Sequence, residues 1–552
     1  MTDRKYPPRI VAAAAGFLCL LVYLRTLSCG FVNFDDPLYV LNNGMIRELD
    51  MELLAKAFGG SYAGFWMPLT WISLALDYHF WGLNPLGYHL TNIVLHAVNT
   101  MLVVLIADSL MQQRQVPEIN CSKTVLLDSP RAETVNEGLK YPLILLLAGL
   151  MWGIHPLRVE SVAWVTERKD VLNGLFALSS VLCYLAYVRA RQAGKPFRSA
   201  WMLSLLLFAC SLMAKSVSVV LPVVLLVLDF YPLERAGREN IGRLIVEKTP
   251  FLLLSLLMSI LTVALVADSN VLVPYDVFPL GQRLLVSGNA VFHYCRLLLF
   301  PLGILPLYPF PGQLPLSFTL ATIITVVTLG ACLAVVRARP WITALALCFL
   351  LPLLPALALF QNGDQIMAAR FTYLPSVAPC VAVAMVLCAK AGKTGVWQQR
   401  ALAAAFATLL LIYAGISFHL IGYWKDTGSY WSRMIELKPI GRAYSDRGRF
   451  YLEKGRYAEA VDDLGRAAEI ASSVGMPEVF NLYAIRGEAL ARLGRHEEAV
   501  LDFTNAISLF PAPAYFHHRG LSLMVLGRKV EGEDDLRRGA AEPGPIIWYK
   551  AE

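Results

Sequence analysis

Charged residues are scarce in this sequence of 552 residues. Asp, Glu, Lys and Arg together make up 16% of the chain, whereas 57% of its residues are hydrophobic and its mean hydropathy is +0.54. Soluble domains contain about a quarter charged residues, so the composition excludes an ordinary soluble protein and indicates a polytopic membrane protein. The basic residues lie in short loops, where the orientation of membrane spans explains them. Because they need no nucleic-acid role, we predict no nucleic-acid partner.

Cysteine pairs with metal-ligand spacing are missing as well. None of the ten cysteines forms a CxxC pair, and most lie inside apolar runs such as "GFLCL" and "ALCFL". This usage favours small buried hydrophobic residues over a disulfide framework or a zinc site. A small-residue cleavage site is also lacking after the first apolar run, Val11 to Tyr23, which predicts a retained span rather than a removed signal peptide.

Long apolar runs are abundant. About 17 to 25 apolar residues suffice to cross the hydrocarbon core of a membrane, and about eleven runs qualify. They begin near Ile10, Tyr88, Leu143, Val171, Ala200, Ser216, Pro250, Leu316, Trp341, Phe371 and Ala401. With eleven spans, every basic loop falls on the side of the N-terminal Arg4 and Lys5, which the positive-inside rule makes cytoplasmic. The C-terminus and the loop from Cys29 to about Gly87 then lie outside.

One amphipathic segment, Gly281 to Pro301, fits this scheme only if it does not span the membrane. Asn289, His293 and Arg296 recur at i, i+4 and i+7, which places a polar stripe on one face of a helix. We predict a helix that lies at the outer membrane face or dips into it.

The composition changes beyond about Pro439, where three similar charged segments follow one another. Two sets of glycines recur at a spacing close to the 34 residues of a tetratricopeptide repeat. They are Gly448, Gly487 and Gly520, and then Gly455, Gly494 and Gly527. We expect the first set to allow close helix packing and the second to end the first helix of each unit, with Ala460 and Ala499 against the neighbouring helix. We therefore assign residues 1–435 to a membrane domain and 440–542 to three repeats, which either contact a peptide or serve as a scaffold.

Two adjacent carboxylates stand out in the first outer loop, in "FVNFDDPLYVLNN". Ionisable groups at the membrane edge are functional candidates, because each costs several kcal/mol unless it is paired. Asp36 precedes Pro37, which makes it a candidate helix N-cap, whereas Asp35 has no such explanation. We predict Asp35 as a general base, with Asp36 beside it in the catalytic pair.

Further ionisable and polar side chains fall at the same outer face and are candidate substrate contacts. They are His155, Arg158, Glu160 and Arg168 in "HPLRVESVAWVTERKDV", Lys215, the pair His293 and Arg296, and Arg370 with Tyr373 in "ARFTYLPS". Guanidinium groups match phosphate oxygens well, so the set predicts a substrate that carries phosphate. Alternatives remain open, because Lys215 could snorkel to the surface and Arg168 could pair with Asp170. Lys169 is interpreted as part of a solvated loop.

These motifs also carry a family resemblance. "FVNFDDPLYVLNN", "PLTWISLALDYHFWGLNPLGYHLTNIVLHAVNT", "HPLRVESVAWVTERKD" and "ARFTYLPS", followed by the repeats, resemble the bacterial tetratricopeptide-containing membrane glycosyltransferases. Those enzymes are similar to the eukaryotic transmembrane-and-TPR O-mannosyltransferases and the protein O-mannosyltransferases of the GT-C superfamily. The resemblance implies an all-α polytopic fold with interfacial helices in the first outer loop and a C-terminal solenoid. It also implies a polyprenyl-phosphate sugar donor taken from the membrane lipid, inversion, Asp35 as the general base, and a place in the bacterial inner membrane with the repeats in the periplasm.

The predicted reaction needs no cofactor. An acceptor hydroxyl, from a protein Ser or Thr or from a glycan, would lose its proton to Asp35, while cations meet the leaving phosphate. A divalent metal held by Asp35, Asp36 and Glu160 is an open alternative. Two other functions are a transporter or flippase for a lipid-linked sugar and a noncatalytic scaffold built on the repeats. The placement of the charges at one face favours the enzyme.

Overall fold

The computed structural model describes residues 7–113, 137–237, 239–268, 274–360, 365–390, 395–473 and 479–539. They form two compact units, one of residues 7–31 and 35–424 and the other of residues 32–34 and 425–539. Nearly all regular structure is helical, so the predicted all-α fold is confirmed. The N-terminal Arg4 and Lys5 and the end of the third repeat, residues 540–542, lie outside the described residues.

The first unit is built from fifteen α-helices within the described ranges. They are α1 (Pro8–Tyr23), α2 (Met51–Gly59), α3 (Pro68–Trp81), α4 (Pro85–Gln113), α5 (Glu137–Gly153), α6 (Val159–Ala163), α7 (Arg168–Gln192), α8 (Arg198–Ala214), α9 (Leu221–Phe230), α10 (Ile241–Asp268), α11 (Leu280–Leu299), α12 (Leu316–Ala334), α13 (Pro340–Leu350), α14 (Val377–Lys390) and α15 (Val396–Ile421). Short 3-10 helices connect several of them, at Leu24–Ser28, Gly44–Ile46, Pro156–Arg158, Val165–Glu167, Ser216–Val220, Leu351–Ala356, Ala358–Phe360, Ala369–Thr372 and Gly422–Trp424, and a π-helical turn lies at Pro37–Leu41.

Six helical segments in the described part of the chain are long and apolar enough to cross a membrane. They are Pro8–Ser28, Pro85–Gln112, Val165–Gln192, Ile241–Leu265, Leu316–Ala334 and Val396–Trp424. A seventh, Tyr141–Gly153 followed by Pro156–Ala163, passes the same test but bends by 49°. Four further apolar helices have only 10 to 17 residues, namely Arg198–Ala214, Ser216–Phe230, Pro340–Ala356 and Val377–Cys388. Each of the eleven predicted spans thus matches an apolar helix, but length supports six or seven, and eleven stays a prediction.

Proline explains why one of the shorter segments is interrupted. α13 gives way to the 3-10 helix Leu351–Ala356, which contains Pro352 and Pro355. Proline lacks an N–H donor and its ring clashes with the preceding turn, so a regular α-helix cannot continue through both residues.

The segment predicted as an interfacial helix is α11, which is not among the helices apolar enough to span. Its Tyr294 hydroxyl accepts a hydrogen bond from the backbone N–H of Ala368 (3.2 Å). Two short strands of the described chain, β1 (Tyr308–Pro309) and β2 (Gln365–Met367), pair antiparallel, and β2 ends at the residue before Ala368. Together these contacts hold the chain just before Arg370.

The segment predicted as the first outer loop, called the outer loop below, folds around an apolar core. Asp50 caps α2 by accepting a hydrogen bond from the backbone N–H of Leu53 (2.8 Å). Tyr39, Trp71 and Tyr88 are buried in one cluster, which joins the π-helical turn to α3 and α4. The loop is therefore an ordered platform that fixes the backbone around the acidic pair.

The second unit contains one leading helix and three helix pairs. They are α16 (Thr427–Leu437), the pair α17 (Gly441–Glu453) and α18 (Tyr457–Ser473), the pair α19 (Val479–Arg492) and α20 (His496–Leu509), and the pair α21 (Pro513–Val525) and α22 (Lys529–Arg538). The three pairs match the three predicted repeats.

The repeat glycines act as the sequence predicted. Gly455, Gly494 and Gly527 have φ angles of +73°, +77° and +78°, the left-handed conformation that ends a helix at little cost only in glycine. A Cβ atom at Gly448 would lie 2.8 Å from Cγ of Leu464, so a larger residue would push the paired helices apart.

An internal ion pair also repeats in each unit, and the sequence analysis missed it. An arginine on the first helix donates two hydrogen bonds to an aspartate sixteen residues later, with a shortest N–O distance of 2.6 Å in every unit. The pairs are Arg447 with Asp463, Arg486 with Asp502, and Arg519 with Asp535. Bidentate geometry of this kind fixes both distance and orientation between two helices.

Candidate active site

A cluster of six charged side chains lies where α6, α7, α8 and the 3-10 helix Ala369–Thr372 meet. Its cations are Lys169, Lys215 and Arg370, and its carboxylates are Glu160, Glu167 and Asp170. The side chains are between 0% and 18% exposed, so the charges are compensated mainly by one another. Burial on this scale costs several kcal/mol for each ion unless it is paired.

Glu167 is the central carboxylate of this charged cluster. One of its oxygens lies 3.3 Å from Nζ of Lys169 and 3.2 Å from Nε of Arg370, and the other lies 3.4 Å from Nζ of Lys215. Its side chain is fully buried. Glu167 therefore holds three cations from three separate parts of the chain around one point.

Arg370 is fixed by a second carboxylate. Glu160 forms an ion pair with its guanidinium group and accepts a hydrogen bond from its backbone N–H (2.9 Å). The ring of Trp164 lies 5.4 Å from the guanidinium carbon, at cation–π distance. Burial lowers the pKa of Arg370, but Glu160 and Glu167 more than offset this effect, so the pKa is raised and the group stays charged.

Lys215 occupies the junction between α8 and the 3-10 helix Ser216–Val220. Its Nζ lies 2.5 Å from Asp170, whose other oxygen accepts a hydrogen bond from the Ser161 hydroxyl (3.2 Å). The Asn173 side chain donates to the carbonyl of Lys215 (2.9 Å), which fixes the backbone at this junction. Lys215 is the most exposed of the three cations, at 18% against 11% for Lys169 and 9% for Arg370.

The two carboxylates of the outer loop have different environments. Asp36 is buried and accepts hydrogen bonds from the backbone N–H (3.1 Å) and the hydroxyl (2.5 Å) of Thr166. It does not cap the turn Pro37–Leu41, as the alternative interpretation had it, because its side chain is engaged with Thr166 instead. Asp36 thus ties the outer loop to the start of α7.

Asp35 is half-buried, and no group in the described part of the chain donates a hydrogen bond to its carboxylate. Its charge acts on the Lys169 ammonium and on the Tyr39 hydroxyl. Lys169 lies 4.5 Å from the centre of the Tyr39 ring, and burial raises the pKa of Tyr39, an effect that Lys169 opposes. Asp35 therefore combines access with a neighbouring cation, the environment that a proton-accepting carboxylate requires.

Arg168 does not belong to the charged cluster. Its buried guanidinium group forms an ion pair with Asp77 (2.5 Å) and donates to the Asn92 side chain (2.5 Å) and the Ser73 hydroxyl (2.8 Å). It does not pair with Asp170, which binds Lys215. The structure gives Arg168 the role of linking α3, α4 and α7.

Three other predicted contacts, His155, Arg158 and Tyr373, face the helix bundle. The ring of His155 accepts from the Leu157 N–H (3.2 Å) and contacts the Leu298 carbonyl (3.1 Å), so it caps the turn after the bend. The buried guanidinium of Arg158 donates to the hydroxyl of Thr372 (2.5 Å), two residues from Arg370. The Tyr373 hydroxyl lies 2.8 Å from His96 and 2.9 Å from Asn99. These residues support the backbone behind the charged cluster.

His293 and Arg296 contact each other (3.3 Å) on α11, and neither has a hydrogen bond or ion pair to the charged cluster within the described residues. Arg296 is exposed, as expected for a polar face of this helix. Tyr294, the residue after His293, instead accepts a hydrogen bond from the backbone N–H of Ala368, two residues before Arg370.

Sequence reasoning missed the central role of Glu167, Lys169 and Asp170. Lys169 was interpreted as solvated, but the structure buries it against Glu167 and the rings of Tyr39 and Trp164. The signal was present, because four consecutive charges, Glu167 to Asp170, at the end of an apolar run carry a high desolvation cost. What the sequence could not supply was the partner of each charge.

An apolar cavity of about 470 Å³ is formed by α4, α7, α9, α13 and α14. Its wall includes Val217 and Ser218, which are two and three residues after Lys215 in the chain. Polar side chains in the wall include those of Ser218, Tyr231 and Arg339. Lining residues representative of each helix are Ile106, Val181, Val224, Leu345 and Val381. A cavity of this size and composition can hold part of a long hydrocarbon chain.

Asp35, Asp36 and Glu160 do not come together as a set of metal ligands. Across the described ranges, no three side chains of His, Cys, Asp or Glu are grouped in a way that could hold a metal ion.

Comparison with known proteins identifies relatives of both parts of the chain. Residues 441–473 and 480–513 match the tetratricopeptide repeat. The protein O-mannosyl-transferase Tmtc3 of Drosophila melanogaster is 24% identical over 89% of this chain and 58% of its own length. Tmtc1 of the same species is 30% identical over 41% of this chain and 23% of its own length, and mouse TMTC2 is 29% identical over 51% and 29%.

The chain thus spans between about a quarter and three fifths of the length of these relatives. The predicted relationship is confirmed, since the chain is a multi-pass membrane protein with tetratricopeptide repeats that is related to the protein O-mannosyl-transferases.

Proposed function

We propose that this relative of the protein O-mannosyl-transferases is a membrane glycosyltransferase that moves a sugar from a polyprenyl-phosphate donor to a protein hydroxyl. The observation that carries the proposal is the half-buried Asp35 carboxylate, free of hydrogen bonds in the described part of the chain, beside a buried cluster of three cations. A transfer of this kind needs one group that accepts a proton and several that stabilise a leaving phosphate.

The donor lipid is supported by the apolar cavity. A polyprenyl chain in this cavity would carry its phosphate towards Lys215, because the wall of the cavity includes Val217 and Ser218, two and three residues after this lysine. Lys215 is the most accessible of the three cations, so it is the proposed first contact of the phosphate. Arg370 and Lys169 add positive charge behind it, and their pairing with Glu167 keeps them in place as charge develops on the leaving group.

The acceptor is activated by Asp35 in this proposal. The acceptor oxygen attacks the anomeric carbon, the bond to the lipid phosphate breaks, and the proton of the hydroxyl passes to the Asp35 carboxylate. A general base contributes about 10²- to 10⁴-fold to such a reaction. Attack from the side opposite the leaving phosphate inverts the configuration of the sugar. Mannose, which the names of the relatives contain, is the first sugar to test.

The proposed location is a bacterial inner membrane, with the N-terminus in the cytoplasm and the repeats in the periplasm. The distribution of Lys and Arg in the loops supports the orientation in this proposal, because basic loops stay on the cytoplasmic side.

The test is glycosyl transfer by the full chain in lipid nanodiscs, with a panel of polyprenyl-phosphate sugars and a Ser/Thr peptide. We expect the wild type to turn over and Asp35→Asn to lose about 10²-fold or more of kcat. Glu48→Gln is the matched control, because Glu48 is an exposed carboxylate of the same loop. Near wild-type activity of Asp35→Asn would overturn its role as base. Binding of a lipid-linked sugar without any turnover would favour a transporter or flippase, and an absence of both would favour a scaffold.

A further inference from the structure

Arg339 is the one charged residue among the described residues that line the apolar cavity. It directly precedes α13, its side chain is exposed, and it forms no side-chain hydrogen bond or ion pair within the described part of the chain. The reaction proposed above does not use it. An apolar cavity with a single cation in its wall suits an amphiphile that carries one anionic headgroup.

This arginine lies at the end of the cavity that is far from the charged cluster. α13 begins directly after Arg339, and the 3-10 helix Leu351–Ala356 follows its last turn. That 3-10 helix contacts the 3-10 helix Ser216–Val220, which follows Lys215. The 11 residues of α13 between the two points span about 16 Å at about 1.5 Å per residue. A donor lipid whose phosphate contacts Lys215 therefore gives Arg339 no partner, because the rest of its chain is apolar.

The other cations near this end are compensated within the protein. Tyr231 and Pro232 line the cavity just after α9, whose Asp229 belongs to a network of buried ion pairs. Asp229 lies 3.0 Å from the guanidinium group of Arg235 and 2.6 Å from Nζ of Lys248. Both basic side chains are buried. A lipid headgroup would therefore meet the cation of the cavity wall, not these paired groups.

Two features beside Arg339 are typical of a membrane interface. Trp341 also lines the cavity and is 37% exposed, and tryptophan is enriched where lipid headgroups meet hydrocarbon. Arg337, two residues before Arg339, is a second exposed cation. A guanidinium group matches the oxygens of a phosphate, and basic pockets between membrane helices bind anionic headgroups.

We propose that this end of the cavity binds an anionic phospholipid, with its phosphate on Arg339 and one acyl chain in the cavity. In the proposed orientation the lipid comes from the cytoplasmic leaflet. The binding itself requires neither the donor nor Asp35. One consequence rests on the proposed function: because the cavity holds part of one long chain, the acyl chain and the polyprenyl chain compete for it.

Binding is measured by native mass spectrometry of the full chain in detergent, with phosphatidylglycerol and phosphatidylcholine as the probes. We expect one phosphatidylglycerol per chain, bound at least about fivefold more tightly than phosphatidylcholine, the effect of one basic residue on an anionic lipid. Arg339→Gln should remove this preference. Arg400→Gln is the matched control, because Arg400 also lies beside a tryptophan, Trp397 (5.6 Å), but on α15, of which no described residue lines the cavity. Equal affinity of the wild type for both lipids, or an equal loss in the two variants, would overturn the proposal.

The place of the acyl chain is tested with Ala344→Phe, which adds a phenyl ring to the wall of the cavity on α13. We expect this variant to bind both phospholipids more weakly by a similar factor, and thermal unfolding checks that it is folded. Unchanged binding by the folded variant would contradict an acyl chain in the cavity.

Polyprenyl phosphate is the other lipid that could bring a phosphate to this end. Its affinity should fall more in Lys215→Gln than in Arg339→Gln, and the reverse order would assign this end to the donor and overturn the proposal. Where transfer is active, phosphatidylglycerol in the nanodisc should raise KM for the donor less in Arg339→Gln than in the wild type, and an equal rise would contradict competition. Selective binding of phosphatidylglycerol without any transfer would count against the proposed function alone.

Discussion

At the scale of single residues, Lys215 differs from Lys169 and Arg370 by its greater exposure and by its place in the chain, two residues before Val217 in the wall of the apolar cavity. Asp170 holds its ammonium at 2.5 Å, and Asn173 fixes its backbone. A cation that is positioned before the substrate arrives stabilises developing charge without reorganisation. This makes Lys215 the most informative site for a test of phosphate stabilisation.

We expect Lys215→Gln to lower kcat/KM for the lipid donor by about 10²- to 10³-fold, the range found when one group that stabilises transition-state charge is removed. Lys215→Arg should retain part of the activity because it keeps the charge. The measurement is kcat and KM for the donor in nanodiscs. Lys56→Gln, which changes an exposed lysine of α2, should have no effect. Equal kinetics of the Lys215 and Lys56 variants would exclude this role.

At the scale of elements, the ion pair of Arg168 and Asp77 joins α7 to α3 within the first unit. Removing one partner of a buried pair costs about 3 to 5 kcal/mol, whereas replacing both with apolar residues is often neutral. We expect Arg168→Met to lower the thermal stability of the protein and Arg168→Met with Asp77→Leu to restore much of it.

The measurement is thermal unfolding in detergent, together with KM for the donor of the double variant. An unchanged KM would agree with the structural role, because no hydrogen bond or ion pair within the described ranges joins the Arg168 side chain to the charged cluster. A double variant that is as stable as the wild type but has lost donor binding would instead support the role predicted from sequence.

Gly494 tests the link between backbone conformation and the repeat. Its φ angle of +77° is unfavourable for any residue with a Cβ atom, by about 1 to 2 kcal/mol. We expect Gly494→Ala to reduce hydrogen-exchange protection in α19 and α20, and Gly494→Asn to reduce it less, since Asn tolerates this conformation better. Equal protection in both variants and the wild type would show that the turn does not limit the stability of the repeat.

At the scale of the whole molecule, three consecutive residues of the outer loop, 32–34, belong to the second unit, although the residues on either side of them belong to the first. Phe34 lies in the second unit, where its ring contacts Trp431 (6.1 Å) and Arg442 (4.9 Å). Asp35 is the next residue and belongs to the first unit. Because the two residues are covalently joined, whatever holds Phe34 also restricts the positions open to Asp35.

We therefore expect Phe34→Ala to lower kcat of glycosyl transfer by about tenfold or more, since misplacement of a reacting group by about 1 Å can cost about 10²-fold. KM for the lipid donor should change little, because the cations and the apolar cavity are in the first unit. Phe34→Tyr keeps the ring and should restore kcat. A variant with normal kcat but a higher donor KM would contradict this account.

Particular residues show how far the sequence could go. Gly455, Gly494 and Gly527 were assigned correctly, because a helix end that requires a positive φ angle leaves a local signature. Lys169 was misinterpreted, because its neighbours in sequence resemble a solvated loop while its contacts come from the outer loop and Glu167. Arg168 was predicted to contact the substrate, because its partner Asp77 lies 91 residues earlier and the sequence does not show that the two residues meet.

The sequence by itself determined the apolar helices, the three repeats, the relationship to the protein O-mannosyl-transferases and the candidacy of the acidic pair. These follow from hydropathy, periodicity and motifs, which act over neighbouring residues. Only the tertiary structure decided that Glu167 gathers Lys169, Lys215 and Arg370. The physical reason is that a buried charge must be paired, but the sequence does not show which of several opposite charges the fold brings within reach.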